Sequence, residues 1–142
     1  MNALRFVGMI GLLVGWPVVN RACTCAPPIP GQETLAFQTA LGYADIVFRG
    51  QLVAHRNGMA VFRVREEWKG SLGAEVEVEW RRGDRGDCNG FWPEDLKVGN
   101  ELLVFAKKGR FGIYRTNICS PTGIVQSAED ARRLLGPGKL KP

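Results

Sequence analysis

The sequence is short of the residues that most catalytic sites require, and its apolar runs after residue 22 are brief. His55 is the single histidine among 142 residues. A multi-histidine zinc site, or a Ser-His-Asp site with a second supporting histidine, therefore has almost nothing to be built from. Acidic residues also form no pair in a recognisable catalytic motif. These absences argue against an enzyme and predict no cofactor.

What the composition does contain is typical of one globular domain. The chain is 45% hydrophobic and 23% charged, with 18 glycines and 8 prolines, which excludes a disordered, collagen-like or coiled-coil chain. The formal net charge is +5, and setting aside Arg5 and Arg21 leaves 17 basic and 14 acidic residues. An imbalance of this size is too small to indicate a nucleic-acid-binding protein.

The first 22 residues have the order of a signal peptide. A basic start ends at Arg5, an apolar run of 14 residues follows from Phe6 to Val19, and the small residue Ala22 precedes Cys23. The run is shorter than the ~20 residues of a membrane-spanning helix. We therefore predict a signal peptide over residues 1–22, a secreted product in the extracellular space or periplasm, and no membrane span. A retained anchor and a lipoprotein-type acylation of Cys23 are the alternatives, although the leucine expected three places upstream is absent.

Four cysteines follow the predicted cleavage point: Cys23, Cys25, Cys88 and Cys119. An even number in an exported chain predicts two disulfides. A bridge between Cys23 and Cys25 would be strained, so each is expected to bond to one of the two later cysteines, in either pairing. A four-cysteine zinc site is the alternative, but it usually shows two C-x-x-C pairs and this chain has none.

The hydrophobic pattern predicts a mainly β fold. A Glu33–Gly42 helix precedes an Asp45–Ala54 and Met59–Trp68 hairpin, and a Ser127–Leu135 helix comes near the end. Further strands are expected at Glu75–Trp80, Leu102–Ala106 and Gly112–Arg115. In this pattern Trp80 faces the core and Glu67 faces water. Five antiparallel strands with a helix near each end suggest a Greek-key OB-fold barrel over residues 23–142, with 138–142 as a solvated flexible tail. A β-sandwich would show the same spacing of strands along the sequence.

Several blocks of the sequence, in order, resemble the tissue inhibitors of metalloproteinases and their netrin-like relatives. The blocks are Cys23-Thr24-Cys25-Ala26-Pro27-Pro28, Ala36-Phe37, residues 44–50, Cys88-Asn89-Gly90-Phe91, residues 98–106 and Asn117-Ile118-Cys119-Ser120. The resemblance covers essentially the whole chain after residue 22. It implies an OB-fold barrel and the bridges Cys23–Cys88 and Cys25–Cys119.

Three departures narrow the resemblance to the short, single-domain members of that group. Gln38 stands where the animal inhibitors have a cysteine, and no late cysteine remains to pair with it. The Asn57-Gly58 turn is tight where some inhibitors carry a long loop. The separate cysteine-rich C-terminal domain is also missing.

The resemblance implies a function as an inhibitor of an extracellular zinc metalloproteinase. The amine and carbonyl of Cys23, as the first residue, would chelate the zinc of the protease, which keeps an open position; the inhibitor holds no metal of its own. Thr24 would enter the adjacent specificity pocket, with Cys25, Ala26 and Pro27 along the cleft. A second contact segment would comprise Asp87, Cys88, Asn89, Gly90 and Phe91.

The alternative function is a disulfide-bonded module that binds another protein or a glycan without inhibiting anything, because a fold does not fix a function. The two Arg-Gly-Asp tripeptides within residues 82–87 are read as turn chemistry. Trp80, Phe91 and Trp92 are assigned to the core or to a protein contact rather than to nucleic-acid stacking. A monomer is expected.

Overall fold

The structure, a computed structural model, describes residues 25–26, 29–83, 88–124 and 128–142. Within these ranges the chain is mainly β, with two helices. The elements in chain order are α1 (Glu33–Tyr43), β1 (Ile46–Arg56), β2 (Met59–Lys69), β3 (Glu75–Glu79), β4 (Glu101–Lys108), β5 (Tyr114–Arg115), β6 (Gly123–Ile124), α2 (Ala128–Leu135) and β7 (Lys139–Leu140). A 3-10 turn at Arg110–Gly112 separates β4 from β5.

Five of the strands close into a barrel. They pair in the order β1-β2-β3-β5-β4, and β4 pairs again with β1. The pairings are antiparallel except that of β3 with β5, which run parallel and meet at Val78 and Tyr114. The short strands β6 and β7 add to the outer sides of β4 and β2. The prediction of a mainly β, closed five-stranded barrel with two helices is confirmed.

The β1–β2 hairpin turns at Asn57 and Gly58, as the sequence predicts. Both residues have positive φ, 52° and 75°, which is the backbone that a two-residue hairpin turn of matching twist requires. The Gly58 carbonyl also accepts the backbone N–H of Trp80, over 2.8 Å. The turn is therefore fastened to the residue that follows β3.

The core has two parts, one inside the barrel and one between the barrel and the helices. Inside, the rings of Phe48 and Phe91 flank that of Phe62, with centroids 5.5 and 5.9 Å away. Outside, α1 and α2 cover one wall, where Phe37 meets Phe105 edge to face at 5.9 Å. The members of the outer cluster that are buried are Ala44, Val47, Leu103, Phe105, Ala131 and Leu135. This second layer fixes the helices against the outside of β1 and β4.

The C-terminal segment, predicted to be a solvated flexible tail over residues 138–142, pairs with the barrel through its backbone, while the side chains of Lys139 and Leu140 are exposed. Lys139 and Leu140 form β7 against Glu67 and Glu66 of β2. The Lys141 ammonium donates to the Leu72 carbonyl over 2.8 Å and lies 3.1 Å from the Glu67 carboxylate. A basic segment that looked like a free end is thus held by two buried acids.

Two predicted side-chain orientations are also corrected. Glu67 is 6% exposed rather than facing water, because the irregular β1–β2 register pairs it with Phe48 of the barrel core. Trp80, expected in the core, is 42% exposed. Its ring stacks on His55 with centroids 4.2 Å apart, so it covers the barrel surface instead.

Candidate functional site

The N-terminal segment is fixed to the barrel by a disulfide. Cys25 is bonded to Cys119, with Sγ atoms 2.05 Å and Cα atoms 5.0 Å apart. This is the pairing that the family resemblance implies for these two cysteines. Cys88 is disulfide-bonded as well, but Cys23 lies outside the described residues, and so does the predicted Cys23–Cys88 bridge. The residue next in sequence to Cys25, Ala26, is exposed.

The second predicted contact segment pairs with the strand-like stretch that carries Cys119. Gly90 donates its N–H to the Thr116 carbonyl and Ile118 donates to the Cys88 carbonyl, both over 2.9 Å. Asn89 and Asn117 form the antiparallel bridge between these bonds. Residues 116–119 therefore connect the two predicted contact segments, one through hydrogen bonds and one through a disulfide.

The backbone of the second segment depends on a glycine. Gly90 has φ +118°, and a Cβ placed there would lie 2.1 Å from the Arg81 carbonyl oxygen. The next residue, Phe91, donates its N–H to that same oxygen over 2.9 Å. No other residue type fits at position 90 without displacing the chain. The backbone at Gly90 thus lies too close to the Arg81 carbonyl to leave room for a side chain.

The Phe91 side chain belongs to the core and not to a contact surface. It is 1% exposed and packs against Phe62 inside the barrel. Gly90 is buried too, whereas Asn89 is exposed. Of the predicted second contact segment, Asn89 is thus the exposed residue within the part of the chain that the structure describes. Asp87, like Thr24 and Pro27 of the first segment, lies outside the described residues.

The hydroxyl groups of Thr116 and Thr122, which no sequence motif indicates, hold residues 116–122 in place. Thr116 and Thr122 are buried, with their hydroxyl oxygens 2.8 Å apart. Thr116 Oγ1 donates to the Phe105 carbonyl over 2.8 Å, and Phe105 donates its N–H to Thr122 Oγ1 over 2.9 Å. Near the disulfide, Asn117 Oδ1 accepts the N–H of Cys119 over 2.7 Å. Asn117 is the one local signal for this turn, because an asparagine side chain often hydrogen-bonds to the backbone two residues further along the chain.

A wide groove adjoins the two contact segments, with a volume of about 1160 Å³. Its lining includes Cys25 and Asn89 together with residues of α1 and β4. Its apolar rim is exposed: Ile29 is 63%, Leu35 61% and Tyr43 72% accessible.

The groove is basic where β4 and β5 line it, and this part is its basic end. Lys107, Lys108 and Arg115 are its charged lining residues among those that the structure describes. Lys107 lies directly opposite Arg115 in the β4–β5 pairing. The guanidinium of Arg115 is held by Glu79, with Nε and Oε2 2.9 Å apart. At the start of α1, hydrogen bonds from its own backbone N–H and from that of Gly31 hold the pKa of the Glu33 carboxyl below its usual range.

The described residues assemble no candidate metal centre. Nowhere in ranges 25–26, 29–83, 88–124 and 128–142 do three or more His, Cys, Asp or Glu residues come together as metal ligands. His55 Nε2 lies 3.1 Å from the Leu96 carbonyl. The helices of the same ranges include none that is both long and apolar enough to cross a membrane.

Comparison with known proteins assigns no relative. The chain matches no protein-family model, and no curated protein matches it significantly. The function is therefore argued from the residues and their geometry.

Proposed function

We propose that the chain is an exported inhibitor of zinc metalloproteinases, built on a netrin-like OB-fold barrel. The strand order β1-β2-β3-β5-β4 with its return to β1 supports this fold. So does the bond between Cys25 and Cys119, which ties the N-terminal segment to the barrel. The inhibitory edge consists of the N-terminal residues from Cys23 to Pro27 together with the segment around Asn89.

One observation carries the proposal: residues 116–119 hold both contact segments at once. Cys119 is bonded to Cys25, and Thr116 and Ile118 are hydrogen-bonded to Gly90 and Cys88. An edge held in this way loses little conformational freedom on binding, which is the requirement for a tight inhibitor.

The inhibitory chemistry resides in the first residue after cleavage. The α-amine and carbonyl of Cys23 chelate the zinc of the target and displace its bound water. Thr24 enters the specificity pocket beside the zinc, and Ala26 with Pro27 follows the cleft. The amine binds only when it has lost its proton, and its ordinary pKa is about 7.7–8. Inhibition therefore weakens as the pH falls below neutrality.

The test compares two extended forms of the exported protein. One carries an extra alanine ahead of Cys23, and its matched control carries the extra alanine after Pro142. Inhibition constants are measured against a panel of extracellular zinc metalloproteinases, after intact mass and N-terminal sequencing have established a free Cys23. We expect the first form to lose inhibition and the second to keep it. Equal inhibition by both forms would contradict the chelate, and a mature chain that begins elsewhere or is acylated would exclude it.

A non-inhibitory binding module is the second candidate, and the exposed apolar rim of the groove favours it. Ile29, Leu35 and Tyr43 present large apolar side chains to solvent on one side of the domain, and neighbouring exposed apolar residues mark interaction sites. A free Cys23 without inhibition of any protease in the panel would favour this candidate.

A further inference from the structure

The groove between α1 and the barrel combines an apolar floor with charge of one sign. Phe105, Ala106 and Ile118 are buried and line its floor. The described lining residues include three cations and no carboxylate. Asp45 lies nearby, because its Oδ2 accepts the backbone N–H of Lys108 over 2.7 Å. An apolar surface with a basic end is complementary to a ligand that is apolar along part of its length and acidic at one end.

Lys107 and Arg115 bring two like charges together on neighbouring strands of the groove. Like charges directly opposite each other on neighbouring strands destabilise a sheet. Glu79 compensates the charge of Arg115, whereas the Lys107 ammonium has no ion-pair partner among the described residues. An anion seated between the two side chains would remove the repulsion. The basic end of the groove therefore favours a ligand that places an acidic group there.

The position and size of the groove indicate a polypeptide as occupant. Cys25 and Asn89 of the proposed inhibitory edge are among its lining residues, so a protein that contacts the edge is adjacent to the groove. Pockets for small molecules occupy about 300–1,000 Å³ and enclose most of the ligand. This groove measures about 1160 Å³ and has an exposed rim. An extended segment fills such a space better than a small ligand does.

We propose that the groove docks a segment of a partner protein in which apolar residues stand next to acidic ones. The apolar side chains lie on Phe105 and Ile118, between Leu35 and Tyr43. The acidic side chains lie against Lys107, beside Arg115. This docking site goes beyond zinc chelation, since it involves neither Cys23 nor Thr24.

Three fluorescein-labelled peptides test the chemistry of the occupant on the exported protein. The first has the sequence Glu-Glu-Leu-Phe-Leu-Glu-Glu, which presents acidic ends in either direction. The second replaces glutamate by lysine, and the third replaces the central residues by Ser-Gln-Ser. By fluorescence anisotropy at low salt, we expect the first to bind at least about tenfold more tightly than either of the others. Equal affinities for the first and either other peptide would overturn the proposal.

Four surface variants, in two matched pairs, test the location. Lys107→Glu reverses the charge at the basic end, and Lys97→Glu makes the same change at an exposed position that does not line the groove. Leu35→Gln removes an exposed apolar group from the rim, and Val98→Gln removes one that is 59% exposed elsewhere. We expect the two groove variants to weaken the first peptide about fivefold or more, and the two controls to leave it unchanged. Equal losses within a pair would overturn the site.

Dodecanoate, below its micelle concentration, distinguishes a lipid-like anion from a peptide. If dodecanoate binds in a Lys107-dependent manner and the first peptide does not bind, the occupant is a fatty anion and the proposal is wrong. None of these measurements uses a protease. Peptide binding without inhibition would therefore contradict the proposed function alone, and inhibition without peptide binding would contradict the docking site alone.

Discussion

Arg132 donates its Nε–H to Oε1 of Glu66 over 3.0 Å, and this contact joins α2 to the buried part of β2. The same oxygen accepts the backbone N–H of Gly138 over 3.0 Å. On the other side, the Arg49 guanidinium lies 3.5 Å from Oε2. The Glu66 side chain is 1% exposed, and the pairing raises the pKa of the Arg132 guanidinium. One carboxylate thus holds β1, α2 and the C-terminal segment together.

Glu66→Gln is expected to destabilise the protein by about 3 kcal/mol. The amide has the same size, but it leaves two guanidinium groups without their shared carboxylate, and breaking a buried ion pair from one side costs this much. Urea unfolding at neutral pH measures the loss. Glu77→Gln is the matched control, since Glu77 is half exposed and pairs with Arg56 at the surface; its loss should stay below about 1 kcal/mol. Similar losses in the two variants would contradict the role of Glu66.

The stability contributed by Glu67 is expected to disappear in acid. Burial opposes ionisation of this carboxyl, but the N–H of Leu72 and the ammonium groups of Lys141 and Lys139 outweigh burial and lower its pKa. A lowered pKa stabilises the folded state at pH values above the pKa of the unfolded chain, about 4.3. That stabilisation is lost as the pH falls through the pKa of the carboxyl in the folded protein. The difference in unfolding free energy between the natural protein and Glu67→Gln, measured from pH 7 to pH 3, should therefore shrink below about pH 4.3. A constant difference would show that ionisation of Glu67 contributes nothing.

Gly90→Ala is expected to displace the loop at residues 88–91. The added Cβ would meet the Arg81 carbonyl at 2.1 Å and force a side chain into φ +118°, so a loss of roughly 2 kcal/mol or more is expected. Under the proposed function, inhibition should weaken as well. Gly73→Ala is the control, because the nearest atom to its Cβ would be 3.7 Å away. If Gly90→Ala and Gly73→Ala changed the unfolding free energy equally, the close approach of Gly90 to Arg81 would be contradicted.

Removing the disulfide with Cys25→Ser and Cys119→Ser is expected to lower stability without opening the barrel. The two cysteines are 94 residues apart, and closing a loop of that length stabilises by about 4.7 kcal/mol as an upper value. Urea unfolding gives the loss, and far-ultraviolet circular dichroism should keep its strand signature. A loss below about 1 kcal/mol, or a collapse of the strand signal, would each contradict this separation of barrel from N-terminal segment.

The barrel was predictable because its longer strands carry local signals. Val76 and Val78 alternate with glutamates in β3, and both are buried while the flanking Glu75 and Glu77 are exposed. Asn57-Gly58 marks the hairpin turn, and Val47 and Phe48 begin a β-branched and aromatic strand. These patterns depend on neighbours in sequence. For this reason they identify strands and turns in a single chain.

What could not be predicted depends on register and on distant pairing. The irregularity between Arg49 and Gly50 shifts the faces of β2, and no local pattern marks it, so the alternation predicts a water-facing Glu67. The strand β7 has two residues, too few to show an alternation. The basic end of the groove arises because Lys107 and Arg115 become neighbours across β4 and β5. The contact between the segments at Cys25 and Asn89 likewise requires the turn at residues 116–119.

The parallel junction of β3 and β5 has a consequence for how the barrel moves. Its backbone pairing is confined to Val78 and Tyr114, and the ion pair of Glu79 with Arg115 lies beside it. Every other joint of the barrel is longer, so amide hydrogens along this line should exchange with solvent first. Because that ion pair is partly exposed, salt loosens it. The barrel is thus closed by a short junction between β3 and β5, and a higher salt concentration weakens the ion pair beside this junction.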